Sequence, residues 1–180
     1  MPIKLHKVAD LTTVETAALG ELNATVHPPE TVASWQGRSI EWASAQWRMI
    51  YWDEAGQALS HVGIVLRTGE ANGKQVMIGG VGGVMTRPNA RRQGLASKAI
   101  NLAVEFFLKQ RTDFGLLVCE TKLVPFYERL HWRCYGDELL VTQHGKKSLF
   151  TFNRPMIHSV CIDGPSVGAI SAIDLQGPPW

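Results

Sequence analysis

A chain of 180 residues, 45% hydrophobic and 19% charged, has the composition of one folded domain with a sizeable core, which excludes a disordered segment. Its formal net charge of +2 is too small to single out nucleic acid as a partner. Cys119, Cys134 and Cys161 share no paired or metal-like spacing, so reduced thiols and no metal are expected. Met1-Pro2 leads straight into an alternating segment with no signal peptide. No run approaches membrane-spanning length, so the expectation is a cytoplasmic protein without a membrane partner.

Ile3 and Leu5 alternate with Lys4 and His6, which predicts a first strand. Capping residues at 10–13 precede a helix over residues 14–25. The pattern then loosens. His27-Pro28-Pro29 and Gln36-Gly37-Arg38 break it, and Trp35, Trp42 and Trp47 make this segment either a flap packed on the core or a substrate-facing wall. Residues 48–53 and 59–67 read as strands joined by a hairpin turn, and residues 74–86 as a further strand after Asn72-Gly73. An antiparallel meander over residues 48–86 results. Inside its last strand lies Gly79-Gly80-Val81-Gly82-Gly83, which reads as a bulge or as backbone opened for a ligand.

A short basic turn ending in Gly94 feeds a long amphipathic helix. Lys98, Asn101, Glu105 and Lys109 fall on one stripe, with Leu95, Ala99, Leu102, Ala103 and Phe106 opposite. A strand that enters a helix through glycine leaves free N–H groups at the positive end of the helix dipole, a setting that suits a pyrophosphate. Arg87, Arg91 and Arg92 stand beside it. The apolar run 114–119 reads as a buried central strand, parallel to its predecessor by the strand–helix–strand rule. A short helix over 122–130, extended pieces at 133–135 and 139–143, and a hairpin closing through 148–152 follow. The domain is expected to span residues 1–154. Residues 155–180 form a mostly irregular tail, apolar enough to pack on the domain or on a second subunit, so a homodimer is one expectation.

Arg91-Arg92-Gln93-Gly94-Leu95-Ala96 fits the pattern Gln/Arg-x-x-Gly-x-Gly/Ala. With the glycine-rich strand before it, the buried strand after its helix, and the segment Val124-Pro125-Phe126-Tyr127-Glu128-Arg129-Leu130-His131-Trp132, the chain resembles the GCN5-related N-acetyltransferase (GNAT) superfamily over roughly residues 45–152. His131 departs from the glycine usual in that second segment. The resemblance implies an α/β (α+β) fold with a mixed, mostly antiparallel central sheet of about 6–7 strands and helices on both faces. It also implies acetyl-coenzyme A (acetyl-CoA) as acyl donor and a small-molecule amine as acceptor.

On the same resemblance, the backbone of Arg91, Arg92, Gln93, Gly94, Leu95, Ala96 and Ser97 would grip the CoA pyrophosphate. Val84, Met85 and Thr86 would pair with the pantetheine arm as an added strand. The amide near Val84 would hold the developing oxyanion, and Tyr127 would protonate the departing thiolate. A base is harder to find, because residues 78–85 contain no carboxylate. Glu120, His61, Cys119 and the carboxylate of Trp180 are the alternatives, with Glu120 placed beside Tyr127 as the catalytic pair.

A looser likeness, carried by a tail that ends in Trp180, is to aminoglycoside 2′-N-acetyltransferases. Polycations need several carboxylates to offset their desolvation, and the neutral bulged strand points instead to a less charged, partly apolar amine. The missing base motivates a rival reading, a noncatalytic acyl-CoA-binding sensor. Nucleic acid is not expected, since no aromatic stacking platform accompanies the arginines.

Overall fold

The computed structural model describes residues 3–160 and 167–180; Met1-Pro2 and Cys161 lie outside them. In chain order the elements are β1 (Ile3–Lys7), α1 (Thr13–Val26), α2 (Pro29–Ser34), β2 (Trp47–Trp52), β3 (Ala58–Ala71), β4 (Lys74–Thr86), α3 (Leu95–Lys109) and β5 (Phe114–Cys119). There follow α4 (Val124–Glu128), β6 (Arg133–Cys134), β7 (Glu138–Gln143), β8 (Lys146–Leu149), β9 (Arg154–Ser159) and β10 (Ala172–Asp174). The ten strands described form one sheet, ordered β6-β9-β5-β4-β3-β10-β7-β8, with β2 and then β1 added on the first half of β3. Only β4–β5 and β10–β7 run parallel. The mixed, mostly antiparallel sheet agrees with expectation, with more strands than the six or seven read from the sequence. Among the described residues no helix is long and apolar enough to cross a membrane.

Side-chain alternation assigns the two faces of the sheet. Met49, Val62, Ile64, Val81 and Leu117 face α3, and they pack on Ala99, Ile100, Ala103, Phe106 and Phe107. Ile50 and Met85 face the other way, onto Leu19 and Leu22 of α1. α1 starts at a capping box. Thr12 accepts from the Glu15 amide, and the Glu15 carboxylate accepts from the Thr12 amide at 2.9 Å, so two of the helix's orphan N–H groups are satisfied at once.

Four expectations change. The segment after His27 contains a six-residue helix, α2, with Pro29 in its first turn; six residues are too few to show a helical period. The helix expected over 122–130 is a 3-10 turn followed by the five residues of α4, and the last hairpin strand ends at Leu149. The tail is not mostly irregular. β9 opens where the tail was expected to begin, lies beside β5 across six residue pairs, and is flanked by β6. β10 inserts between β3 and β7. Pro155 inside β9 and the three-residue length of β10 hide both from a pattern search.

The glycine run also resolves into separate causes. A Cβ on Gly79 would stand 2.5 Å from the Phe107 ring of α3, and one on Gly80 would stand 2.2 Å from the Trp180 indole. One on Gly82 would meet the Trp180 backbone at 2.8 Å. These three glycines make room for protein packed on both faces of β4. Gly83 alone carries a positive φ, 55°, at the β-bulge where β4 slips its register against β3.

Candidate active site

The bulge begins an opening in the sheet. β4 and β5 pair through residues 78–81 and 114–117, and no further. β3 stays with β4 as far as Thr86, and the Arg87 amide still donates to Leu59 at 2.9 Å. Amides alternate in direction along a strand, so Val84 and Thr86 present theirs to the gap. Met85 turns toward β3, and its carbonyl accepts from the Ser60 hydroxyl at 3.0 Å. The edge thus exposed is a template for one more extended chain.

Beyond Thr86 the chain turns into α3 through two left-handed residues, Arg92 (φ 63°) and Gly94 (φ 75°). Gly94 caps the helix without a side chain, and the first helical bond runs from Lys98 to Gly94. Among the described residues the amides of Arg92, Gln93, Gly94, Leu95, Ala96 and Ser97 have no protein acceptor. Nothing lies within 4 Å of a Cβ built on Gly94, so the concavity is open. Alternating backbone hands at a helix N-terminus form an anion-binding nest, which fits a pyrophosphate.

The three arginines divide. Arg91 and Arg92 are exposed at the turn, with Arg91 Nε donating to the Thr86 carbonyl at 3.2 Å. Arg87 is turned away. Its Nε donates to the Ala58 carbonyl at 2.8 Å and its head lies 3.9 Å from Glu21 of α1. It is therefore withdrawn from the phosphate cluster read in the sequence.

The gap opens on a cavity of about 650 Å³. Val81 to Met85 line one wall, Val118, Cys119, Glu120 and Tyr127 another, and Thr31, Val32, Trp35, Trp42 and Trp180 the far side. Tyr127 is buried, and its hydroxyl has no hydrogen-bond partner among the described residues. Burial, with Cys119 nearby, pushes its pKa well above that of an ordinary tyrosine, so it holds its proton. Cys119 is likewise pushed up, to about 11 by burial, which makes it a poor nucleophile or base. Glu120 sits half in solvent at the rim, 2.6 Å from Lys122.

His61 is hydrogen-bonded through both ring nitrogens and is poorly suited to act as a base. An arginine can only donate, so Arg48 Nη1, 2.7 Å from His61 Nε2, fixes that nitrogen as the acceptor. Nδ1 then carries the proton and donates to the Gly83 carbonyl at 2.8 Å. Both nitrogens are occupied, and burial beside Arg48 lowers the pKa to about 3. His61 is a neutral strut that ties β3 to the bulge.

The far side shows that the tryptophan segment is both flap and wall. Trp35 stacks on Trp42 at 5.8 Å, Phe152 packs edge-on against both, and the Trp42 indole donates to Gly37. Trp47 belongs elsewhere, on Phe106 of α3. Trp180 lies over Gly80, its indole donating to the Leu116 carbonyl at 2.9 Å where β4 and β5 part, and Arg67 stacks on its ring at 5.1 Å.

A sequence model described as "Acetyltransferase (GNAT) domain" matches residues 14–135. The chain belongs to the GNAT acetyltransferase family. A search of curated protein sequences finds no match. Among solved structures, the chain is similar to the GNAT N-acetyltransferase YhbS of Escherichia coli in complex with CoA, at TM-score 0.65 and 12% identity over 97% of this chain and 89% of that one. An acyl-CoA N-acyltransferase from Pseudomonas aeruginosa gives TM-score 0.61 and 19% identity over 88% and 99%. Naa20 of Chaetomium thermophilum, in complex with a bisubstrate analogue, gives 0.58 and 14% over 97% of each chain. At these identities the likeness is one of fold.

Within that fold the sequence missed Arg48, and it named Trp180 for its carboxylate without foreseeing its seat on β4. Arg48 stands out only as a cation on the same strand face as Ile50. Trp180 is separated from its glycine seats by about a hundred residues, and no local pattern couples them.

Proposed function

We propose that this GNAT protein transfers an acetyl group from acetyl-CoA to a primary amine by direct attack. The observation that carries the reading is the parted β4–β5 edge, which joins a nest of amides without protein acceptors at one end to a phenol with no hydrogen-bond partner among the described residues at the other. The pyrophosphate lies on the amides of Arg92 to Ser97, the Arg91 amide expected with them being taken by the Pro88 carbonyl at 3.4 Å, and the pantetheine arm runs along Val84, Met85 and Thr86. The Val84 amide, facing the gap, donates to the thioester oxygen as negative charge grows there.

The amine nitrogen bonds to the carbonyl carbon, and the carbon–sulfur bond breaks as the tetrahedral intermediate collapses. Tyr127, which burial keeps protonated until that moment, gives its proton to the departing sulfur. The amine's proton leaves through water toward Glu120, the acidic side chain on the cavity wall. No covalent acyl-enzyme is needed, because Cys119 is held as a thiol and no serine in the cavity has an activating base.

The test is thiol release from acetyl-CoA across a panel of primary amines. Tyr127→Phe is expected to lower kcat by roughly 100-fold or more, within the usual range for a general acid, and to leave acetyl-CoA affinity unchanged. Tight acetyl-CoA binding with no thiol released for any amine would replace this reading with that of an acyl-CoA sensor.

A further inference from the structure

The flap side of the cavity holds a cation that no carboxylate among the described residues pairs with, the Trp180 terminus lying instead over Gly82. Arg48 lies on β2 opposite Gly63, with its side chain on the sheet face away from α3 and its head against the cavity. One of its five N–H groups is taken by His61. Among the described residues no carboxylate comes within ion-pair distance, and no other hydrogen bond reaches it. His61 is neutral and contributes no charge. Partial burial disfavours the charged form, yet a guanidinium keeps its proton in proteins. A half-buried fork of free donors at a cavity wall is matched by a planar carboxylate held in two parallel hydrogen bonds.

Two further features narrow the ligand. Val32, Trp35 and Trp42 give the same side of the cavity an apolar surface, and Trp35 remains 39% exposed there. His61 alone spans the distance from Arg48 to the Gly83 carbonyl, and the next residue is Val84. The Arg48 head is therefore at most one imidazole and two hydrogen bonds from the Gly83 carbonyl, beside the strand edge where the thioester would lie. A short link between carboxylate and amine suits that interval.

We infer that the acceptor is an α-amino acid with an apolar or aromatic side chain, its carboxylate on Arg48 and its side chain against Trp35 and Trp42. The inference rests on the acyltransferase reading above and names its substrate class. It also explains why a polycation is a poor candidate: Arg48 repels it, and Glu120 is already paired with Lys122.

The experiment compares phenylalanine, leucine and tryptophan with their carboxamides, which keep the amine and side chain and lose the charge. Thiol release gives kcat and KM. Calorimetry on the CoA-saturated protein gives acceptor binding independently of turnover. Wild type should prefer the acid of at least one pair by about thirtyfold in kcat/KM, the usual scale for a desolvated charge pair. Arg48→Gln should abolish that preference through KM while leaving the amide within about threefold, and Arg48→Lys should recover part of it. Equal use of acid and amide in all three pairs, or equal loss of both in Arg48→Gln, would overturn the inference. Binding of the acid to wild type but not to Arg48→Gln, without thiol release, would uphold the carboxylate site and sink the acyltransferase reading instead. Neither binding nor release for any pair would overturn the inference.

Discussion

The two halves of the cavity are built differently. The half assigned to the donor comes from one continuous stretch, Gly83 to Ser97, and its working groups are main-chain amides set by three residues of positive φ and a helix start. The half assigned to the acceptor is gathered from α2, the Trp42 loop, β2, β3 and Trp180, and its working groups are side chains. Backbone sites tolerate change in most side chains and fail when backbone geometry is altered. Side-chain sites behave the opposite way.

Removing Trp180 should give the largest effect. Trp180→Ala deletes a buried indole and its bond to Leu116, and an aromatic-to-alanine change of this kind costs roughly 3–5 kcal/mol. Urea unfolding measures it. Gly80→Ala alone places a methyl group against that indole and should also destabilise, by about 1–3 kcal/mol. In the Trp180→Ala background the same change should cost far less, because the clash has gone. Additive losses would mean that the glycines serve β4 itself and not the seat of Trp180.

Gly94→Asp attacks the other half. Aspartate enters the left-handed region more readily than most residues, so the variant isolates charge from strain. Acetyl-CoA affinity should fall roughly 100-fold, about 3 kcal/mol, with urea stability changed much less. Unchanged affinity in calorimetry would remove the pyrophosphate site.

His61 offers a pH test of the acceptor half. Its pKa drops from 6.5 to about 3 on folding. The folded state thus resists protonation that the unfolded chain accepts, so its contribution to stability is full above pH 6.5 and is lost as pH falls toward 3. Between pH 6.5 and 5, wild type should lose about 2 kcal/mol from this group, at about 1.4 kcal/mol per unit. His158, also lowered by burial, acts in the same window, so the reading is the difference from His61→Gln. Glutamine can accept from Arg48 and donate to Gly83 without titrating. Parallel pH curves for the two proteins would show that His61 is charged or exposed in solution.

How far each half could be read in advance follows from the same contrast. Gly94, Arg91 and the α3 periodicity are local, and they announced the nest, the helix and the parallel β4–β5 pair. Tyr127 was legible as part of a short motif next to a buried strand. The glycine run was visible, but its cause was not. Gly80 and Gly82 answer to a tryptophan about a hundred residues away, and Gly79 to Phe107 across the helix. β9 and β10 were missed because strands of six residues with a proline, and of three residues, carry too little pattern. Arg48 was missed because a single cation in an apolar strand acquires meaning only when its neighbours across the sheet are known.

The smallest effect separates two arginines that the sequence placed together. Arg91 is exposed beside the nest and Arg87 is turned onto β3 and α1. An exposed cation near a phosphate contributes a few tenths to one kcal/mol and is screened by salt. Arg91→Ala should therefore weaken acetyl-CoA binding by up to about fivefold at low ionic strength, and less at 0.5 M salt. Arg87→Ala should leave affinity unchanged and instead lower stability by about 1–2 kcal/mol, through the lost bond to the Ala58 carbonyl. Paired calorimetry and urea titration on both variants read the two columns at once. If Arg87→Ala weakened binding with the stronger salt dependence, Arg87 would have to leave Ala58 and Glu21 when the ligand arrives, and α1 would then belong to the donor half as well.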